Sequence, residues 1–265
     1  MAGPILRLGE LIKYGRGYLA PREPVSLYRY VEHLVVLATK RKFGLESVLE
    51  IGPGSDPLLR FLDPEECRPA AIADYNPKVL DHCATVPPLQ GIDAIHVDVA
   101  KDGATARLAR PWDLVLASSM LEHLADDQAF VDLLHGVTRE GGCAVATTVL
   151  GPRLYNLWDH AVGHYRRYRV DGLRELFGAF KEVQIIQSSL AQELVRPLFF
   201  GRVRHLEDNT VEQNNWIFSA EHADRGRPPY AAIFGLVRWG LPAYLLVDWA
   251  LRGVQGGIAI VIARK

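Results

Sequence analysis

Cysteine is scarce in this chain: Cys67, Cys83 and Cys143 are the only three among 265 residues. Three is an odd number and no two form a C-x-x-C pair, so neither a disulfide framework nor a thiolate zinc site is expected, and a reducing, cytoplasmic setting fits best. A basic excess is missing too. The 30 Lys and Arg stand against 31 Asp and Glu, for a formal net charge of −1. Duplex-binding surfaces carry a clear positive excess, so nucleic acid is not expected as a partner. There is no internal repeat and no low-complexity tract, and the opening MAGPILRLGELIKYGRG is too broken by charge to read as a signal peptide. One long apolar run, residues 231–250 (AAIFGLVRWGLPAYLLVDWA), has the length of a membrane span. Arg238 and Asp248 lie inside it and Pro242 interrupts it. Each such charge costs about 2.5–3.5 kcal/mol at a bilayer centre. The run therefore reads as buried helix within a protein, with peripheral membrane contact left open.

What is present is a regular alternation. Residues 1–44 read as a helical cap whose best pattern, SLYRYVEHLVVLATKRKFG, ends in basic residues and Gly44. Short apolar runs follow at 47–52, 70–75, 94–99, 113–118 and 143–149, with helix-like segments such as DQAFVDLLHGVTREGG between them. That spacing implies βαβ units and an α/β, doubly wound, mainly parallel sheet. A further strand is expected at 182–187 and the last at 256–265. The reading divides the chain into the cap, a core formed by 45–188 and 253–265, and an insert at 189–252. The insert is far longer than a strand connection needs and is rich in aromatics, among them Trp216, Phe218, Trp239 and Trp249. It is expected to form a helical lid.

Chemistry concentrates at the expected strand ends, where doubly wound sheets bind ligands. Glu50-x-Gly52-Pro53-Gly54 runs from a buried strand into a glycine turn. A dinucleotide fingerprint would place a third glycine at position 57, which is Pro57. A carboxylate beside a pyrophosphate would also be repelled, whereas Glu50 suits a cationic cofactor. Asp74, at the end of the second strand, can accept hydrogen bonds from ribose hydroxyls or cap the helix that follows Asn76-Pro77. Asp98, at the end of the third, suits an exocyclic adenine amine, with the same capping alternative.

These residues resemble the class I S-adenosylmethionine-dependent methyltransferase family, in the branch often called methyltransferase type 11. Glu50-x-Gly52-x-Gly54 resembles its glycine motif, Asp74 its ribose acid and Asp98 its adenine-contacting acid. Trp112-Asp113-Leu114-Val115 through Met120-Leu121-Glu122-His123-Leu124 resembles its fourth-strand motif, and Glu140-Gly141-Gly142 the turn before its fifth strand. The resemblance covers about residues 45–188 and the last strand. It implies a seven-stranded sheet with an antiparallel last strand, and S-adenosyl-L-methionine as cofactor. The implied cofactor set is Glu50, Gly52, Pro53, Gly54, Asp74, Tyr75, Asp98, Val99, Ser118 and Ser119. Ser118-Ser119-Met120 departs from the Asn-Pro-Pro-aromatic run of enzymes that methylate base amines, which points to a small-molecule acceptor.

The run Gly163-His164-Tyr165-Arg166-Arg167-Tyr168 resembles a segment after the fifth strand of some small-molecule members. His164, His160 or His123 is the candidate base, and Arg166, Arg167 and Tyr168 the candidate acceptor-orienting residues. The competing reading is that these side chains brace the lid and the cofactor loop. No clustered ligand set is visible after the fourth strand, so metal-independent, in-line methyl transfer to a hydrophobic or aromatic small molecule is expected. The alternatives are a cofactor-binding cyclase or scaffold without methyl transfer, and a nicotinamide oxidoreductase. The oligomeric state is not legible in the sequence.

Overall fold

Apolar residues alternate along the central strands with a period of two, and the sheet separates them into two layers. Val48, Leu114, Leu116, Val145 and Ile262 pack in one core; Leu49, Ile51, Val115, Ala117, Ala146 and Val261 pack in the other. The computed structural model describes residues 4–15, 27–63, 66–108, 110–188, 210–211 and 256–265. Its strands are β1 (Val48–Ile51), β2 (Ala70–Asp74), β3 (Asp93–His96), β4 (Trp112–Ser118), β5 (Thr138–Val149), β6 (Glu182–Ser188) and β7 (Ile258–Arg264). They form one sheet in the order β3-β2-β1-β4-β5-β7-β6. β7 runs antiparallel to both of its neighbours, and the other pairings are parallel. The strand order reverses between β1 and β4, and doubly wound sheets bind their ligands at the carboxyl ends of the strands beside such a switch point.

The helices are α1 (Leu8–Gly15), α2 (Leu27–Phe43), α3 (Pro77–Thr85), α4 (Ala104–Arg107), α5 (Asp127–Val137), α6 (Leu157–Ala161) and α7 (Val170–Leu176). α2 ends as its sequence indicates, with Lys40, Arg41 and Lys42 in the last turn and Gly44 beyond at φ 60°. It buries Tyr30, Val31, Val35 and Ala38 in the first core, and Glu32 and His33 are buried with them. The cap is tied to the far edge of the sheet as well. The Leu6 amide donates to Gln184 Oε1, and Gln184 Nε2 donates to the Leu6 carbonyl.

Two strand expectations shift. The third strand ends at His96 rather than 99, because the chain turns at Asp98, whose carboxylate accepts the Ala100 amide. The fifth begins at Thr138 rather than 143, and α5 stops at Val137 rather than continuing to Gly142. Thr138 Oγ1 donates to the Leu134 carbonyl, so the chain passes directly from helix to strand. The Glu140-Gly141-Gly142 turn becomes an irregularity inside β5. Gly141 has φ 76° and the register moves from Trp112↔Thr138 to Leu114↔Cys143. A Cβ on Gly142 would stand 2.7 Å from the Asp113 carbonyl, which explains the second glycine.

Apart from Thr210 and Val211, the lid expected at 189–252 lies outside the described residues, as does the apolar run 231–250. Among the described residues no helix is long and apolar enough to cross a membrane.

Candidate active site

The glycine turn after β1 is built as the sequence suggests. Gly52 and Gly54 have φ values of 66° and 59°, a backbone region that costs other residues energy. A Cβ on Gly52 would lie 2.1 Å from Met120 Sδ, so the residue after Ser118-Ser119 closes over this glycine. Pro53 is buried between them. Glu50 is 1% exposed, and its two carboxylate oxygens accept the Leu58 and Leu59 amides at 2.7 and 2.8 Å. Its immediate task is therefore to hold the loop against β1. Burial pushes its carboxyl up to about 7, against the pull of those two amides.

Asp74 is buried at the end of β2. Its Oδ1 accepts the Asn76 amide at 2.8 Å, while Asn76 itself caps α3 by accepting the Lys78 amide. The helix cap is thus supplied by Asn76 and not by Asp74. Burial outweighs the backbone hydrogen bonds and lifts the Asp74 carboxyl to about 6. Tyr75 is exposed beside it. Asp98 is partly exposed two residues past β3 and pairs with Lys101 at 3.0 Å, with Val99 next to it.

A second polar centre lies across the ends of β4 and β5. Ser118 Oγ accepts Arg29 Nη1 at 2.7 Å and meets Thr147 Oγ1 at 3.1 Å. Thr147 donates to buried Glu32, and Glu32 pairs with Arg29 at 2.8 Å. Arg29 also donates to the Asp56 carbonyl in the loop that Glu50 holds. Ser119 adopts φ 51°, its amide directed to Thr147. Arg29, Glu32 and Thr147 were missed by the sequence reading. Their one signal was a charged Glu32-His33 pair inside an apolar helical run.

The third centre gathers residues from three segments. Asp159 is fully buried in α6, accepting Arg167 Nε at 2.9 Å and bonding His164 Nδ1 at 2.8 Å. Burial alone would raise its carboxyl, but the hydrogen bonds from His164 and Arg167, with the Arg167 charge, outweigh it and hold the group below its usual range. The His164 ring meets His123 edge-on with centroids 4.7 Å apart. Burial lowers His123, partly offset by its hydrogen bond to the Gly163 backbone. Glu122 is 1% exposed and raised by burial; one oxygen accepts Thr148 Oγ1 at 2.8 Å.

One donor atom each from Glu122, His123 and His164 lie within 4.8 Å of one another. Linear spacing shows no ligand set after the fourth strand, and it is folding that brings these three donors together. The third member comes from a segment 41 residues after His123, which linear spacing does not reveal.

The other candidates are placed apart. His160 is exposed on α6. Arg166 pairs with Asp127 at 2.9 Å and donates to the Ala125 carbonyl, and Tyr168 donates to Asp127 and to the Leu121 carbonyl. Arg166 and Tyr168 on Asp127, with Arg167 on Asp159, tie this segment to α5 and α6.

Comparison with known proteins agrees with this architecture. Residues 22–180 match a family model described as a methyltransferase domain. No curated protein matches the chain by sequence. Among solved structures, the [4+2]-cyclase SpnF is 14% identical with a TM-score of 0.51, covering 99% of this chain and 97% of its own. Phosphoethanolamine N-methyltransferase 2 of Haemonchus contortus is 15% identical with a TM-score of 0.52 over 96% of this chain. This chain spans only 56% of that enzyme's length. YcgJ of Bacillus subtilis is 11% identical with a TM-score of 0.51, over 89% of this chain and 99% of its own. With the matched model covering more than half of its residues and the seven-stranded order with one antiparallel strand in place, the chain belongs to the methyltransferase-domain family of class I S-adenosylmethionine-dependent methyltransferases.

Proposed function

We propose that this protein transfers a methyl group from S-adenosylmethionine to a small, hydrophobic or aromatic acceptor held at the ends of β4 and β5. The observation that carries the reading is the buried Asp74 carboxylate beside the Gly52-Pro53-Gly54 turn. A desolvated carboxylate at that place is satisfied by hydroxyl donors, and a ribose offers two. The cofactor, when bound, supplies an electrophilic methyl on a sulfonium. Asp74 would accept its ribose hydroxyls, and the Gly52–Gly54 backbone would approach its amino-acid end. Ser118 and Ser119 would line the floor, with Asp98 and Val99 at the adenine edge.

Positioning is the main contribution of such a site, and well-oriented reactants gain several kcal/mol, on the order of 7–11 at best. The acceptor side falls to His123, four residues beyond Ser119, and to His164, whose ring meets it from the segment after α6. The insert supports an apolar acceptor in two ways: its sequence is aromatic, and Val211 is so close to Gly163 that a Cβ there would meet Val211 Cγ1 at 2.6 Å.

Calorimetry with S-adenosylhomocysteine tests the reading. Micromolar binding is expected, with a loss of about 1–3 kcal/mol in Asp74→Ala, the scale of a charge-assisted hydrogen bond. Unchanged affinity in a folded Asp74→Ala protein would remove that residue from the site. Binding without methyl transfer to any of a panel of hydrophobic hydroxyl and amine acceptors would favour a cofactor-binding protein of the cyclase or scaffold kind.

A further inference from the structure

Beside the cofactor crevice, Glu122, His123 and His164 offer one carboxylate oxygen and two imidazole nitrogens within 4.8 Å of one another. Three features separate this group from a chance meeting of side chains. First, Glu122 Oε1 is buried and has no hydrogen-bond partner, while Oε2 is held by Thr148. A buried carboxylate oxygen left bare costs about 1–3 kcal/mol, so it calls for a partner. Second, one imidazole is oriented from behind. His164 is held through Nδ1 by Asp159, which leaves Nε2 to face forward. Carboxylates and backbone carbonyls on the far nitrogen are the usual supports of metal-ligating histidines, fixing both tautomer and ring direction. Third, Asp159 is itself anchored by Arg167 and by the Asn156 amide, so the supporting shell is as buried as the group it serves.

We propose that Glu122, His123 and His164 bind a divalent first-row transition cation at the acceptor end of the crevice. Two imidazoles and one carboxylate suit zinc, cobalt(II), iron(II) or manganese(II), whereas an all-oxygen set would suit magnesium or calcium. Three protein ligands leave coordination positions open, the arrangement of a catalytic rather than a structural site. Ligand atoms around such an ion stand about 3–3.5 Å apart, given bond lengths of about 2.0–2.2 Å. The donors therefore need to draw together by little more than an ångström, within reach of side-chain rotation. Met120, two residues before Glu122, closes over Gly52. An acceptor hydroxyl bound to the cation would lose its proton more readily. His164 then serves as a ligand rather than as a base. The metal site itself stands apart from the methyltransferase reading, and only the cation's use there rests on it.

The test uses the full chain, stripped with a chelator and titrated with cobalt(II), followed by visible absorption, with zinc as competitor in calorimetry. One equivalent is expected in the wild type, with affinity falling at least tenfold in Glu122→Gln and in His164→Asn. His123→Gln provides a third variant should either fail to fold, as judged by circular dichroism. No stoichiometric uptake by the wild type would overturn the inference, and so would equal affinity in folded variants. Wild-type S-adenosylhomocysteine binding on the same stripped sample separates the two proposals. Cofactor binding without cation uptake removes only the metal site. Cation uptake without cofactor binding leaves the metal site standing and sinks the methyl-transfer reading.

Discussion

Around β1 and β2, buried carboxylates are held by backbone amides a few residues along the chain: Glu50 by Leu58 and Leu59, Asp74 by Asn76. Around β4 and β5, they are held by side chains from distant segments, Glu122 by Thr148 and Glu32 by Thr147, the latter pair 115 residues apart. The charge balance differs as well. Glu50 and Asp74 are lifted by burial, to about 7 and about 6, whereas Asp159 is held low by His164 and Arg167 despite being fully buried. An amide-held carboxylate keeps its place when protonated. A carboxylate that neutralises a buried guanidinium must remain charged. One region therefore resembles a loop scaffold with latent acceptor capacity, and the other a charge network that positions imidazoles.

The largest effect should come from the second region. Asp159→Ala would take the Asp159 ion pair from buried Arg167 and remove the His164 anchor and the Asn156 capping box. A loss of about 3–5 kcal/mol is expected in urea denaturation. A loss below 1 kcal/mol would mean that the Asp159 network contributes little and that the contrast is misdrawn.

Next comes the pH response, where Asp74 and Glu50 should act with the sign opposite to that of Asp159. The folded pKa of Asp74 lies above its unfolded value near 3.8. Its contribution is fully present below that value and is lost as pH rises through about 6, a change on the order of 3 kcal/mol. Glu50 acts with the same sign between 4.5 and about 7. Asp159, held low, contributes above the ordinary carboxylate range and loses that contribution on acidification. Denaturation across acidic to neutral pH should therefore show Asp74→Asn flattening the decline toward neutrality while leaving the acid limb in place. The reverse pattern would exchange the roles assigned to the two regions.

The smallest effect is backbone-borne. Gly52→Ala at φ 66° should cost about 1–2 kcal/mol from left-handed strain. The shift that Met120 must make should weaken S-adenosylhomocysteine binding at the same time. Thermal unfolding and calorimetry on one sample check both. Full stability with intact binding would show that the turn relaxes at no cost.

The contrast also explains what was legible. The surroundings of Glu50, Gly52, Gly54 and Asp74 were legible because they are local: a strand, a glycine turn and a helix cap within a few residues. Tyr75, by contrast, is exposed, and Asp98 lies beyond its strand rather than at its end. Arg166, Arg167 and Tyr168 attracted attention by their chemistry, yet each is engaged by protein partners: Asp127, Asp159, and Asp127 with Leu121. Asp159, the residue that holds His164, has no motif of its own, because what marks it is burial at zero exposure between His164 and Arg167.

By itself the sequence determined the alternation of strands and helices, the family, and the glycine turn with its acids, since period-two apolar runs and positive-φ glycines are local properties of the chain. Only the tertiary structure decided which histidines meet. Side chains separated by tens of residues along the chain converge when β4, β5 and α6 pack, and no spacing rule records the distance between segments that the sheet brings together.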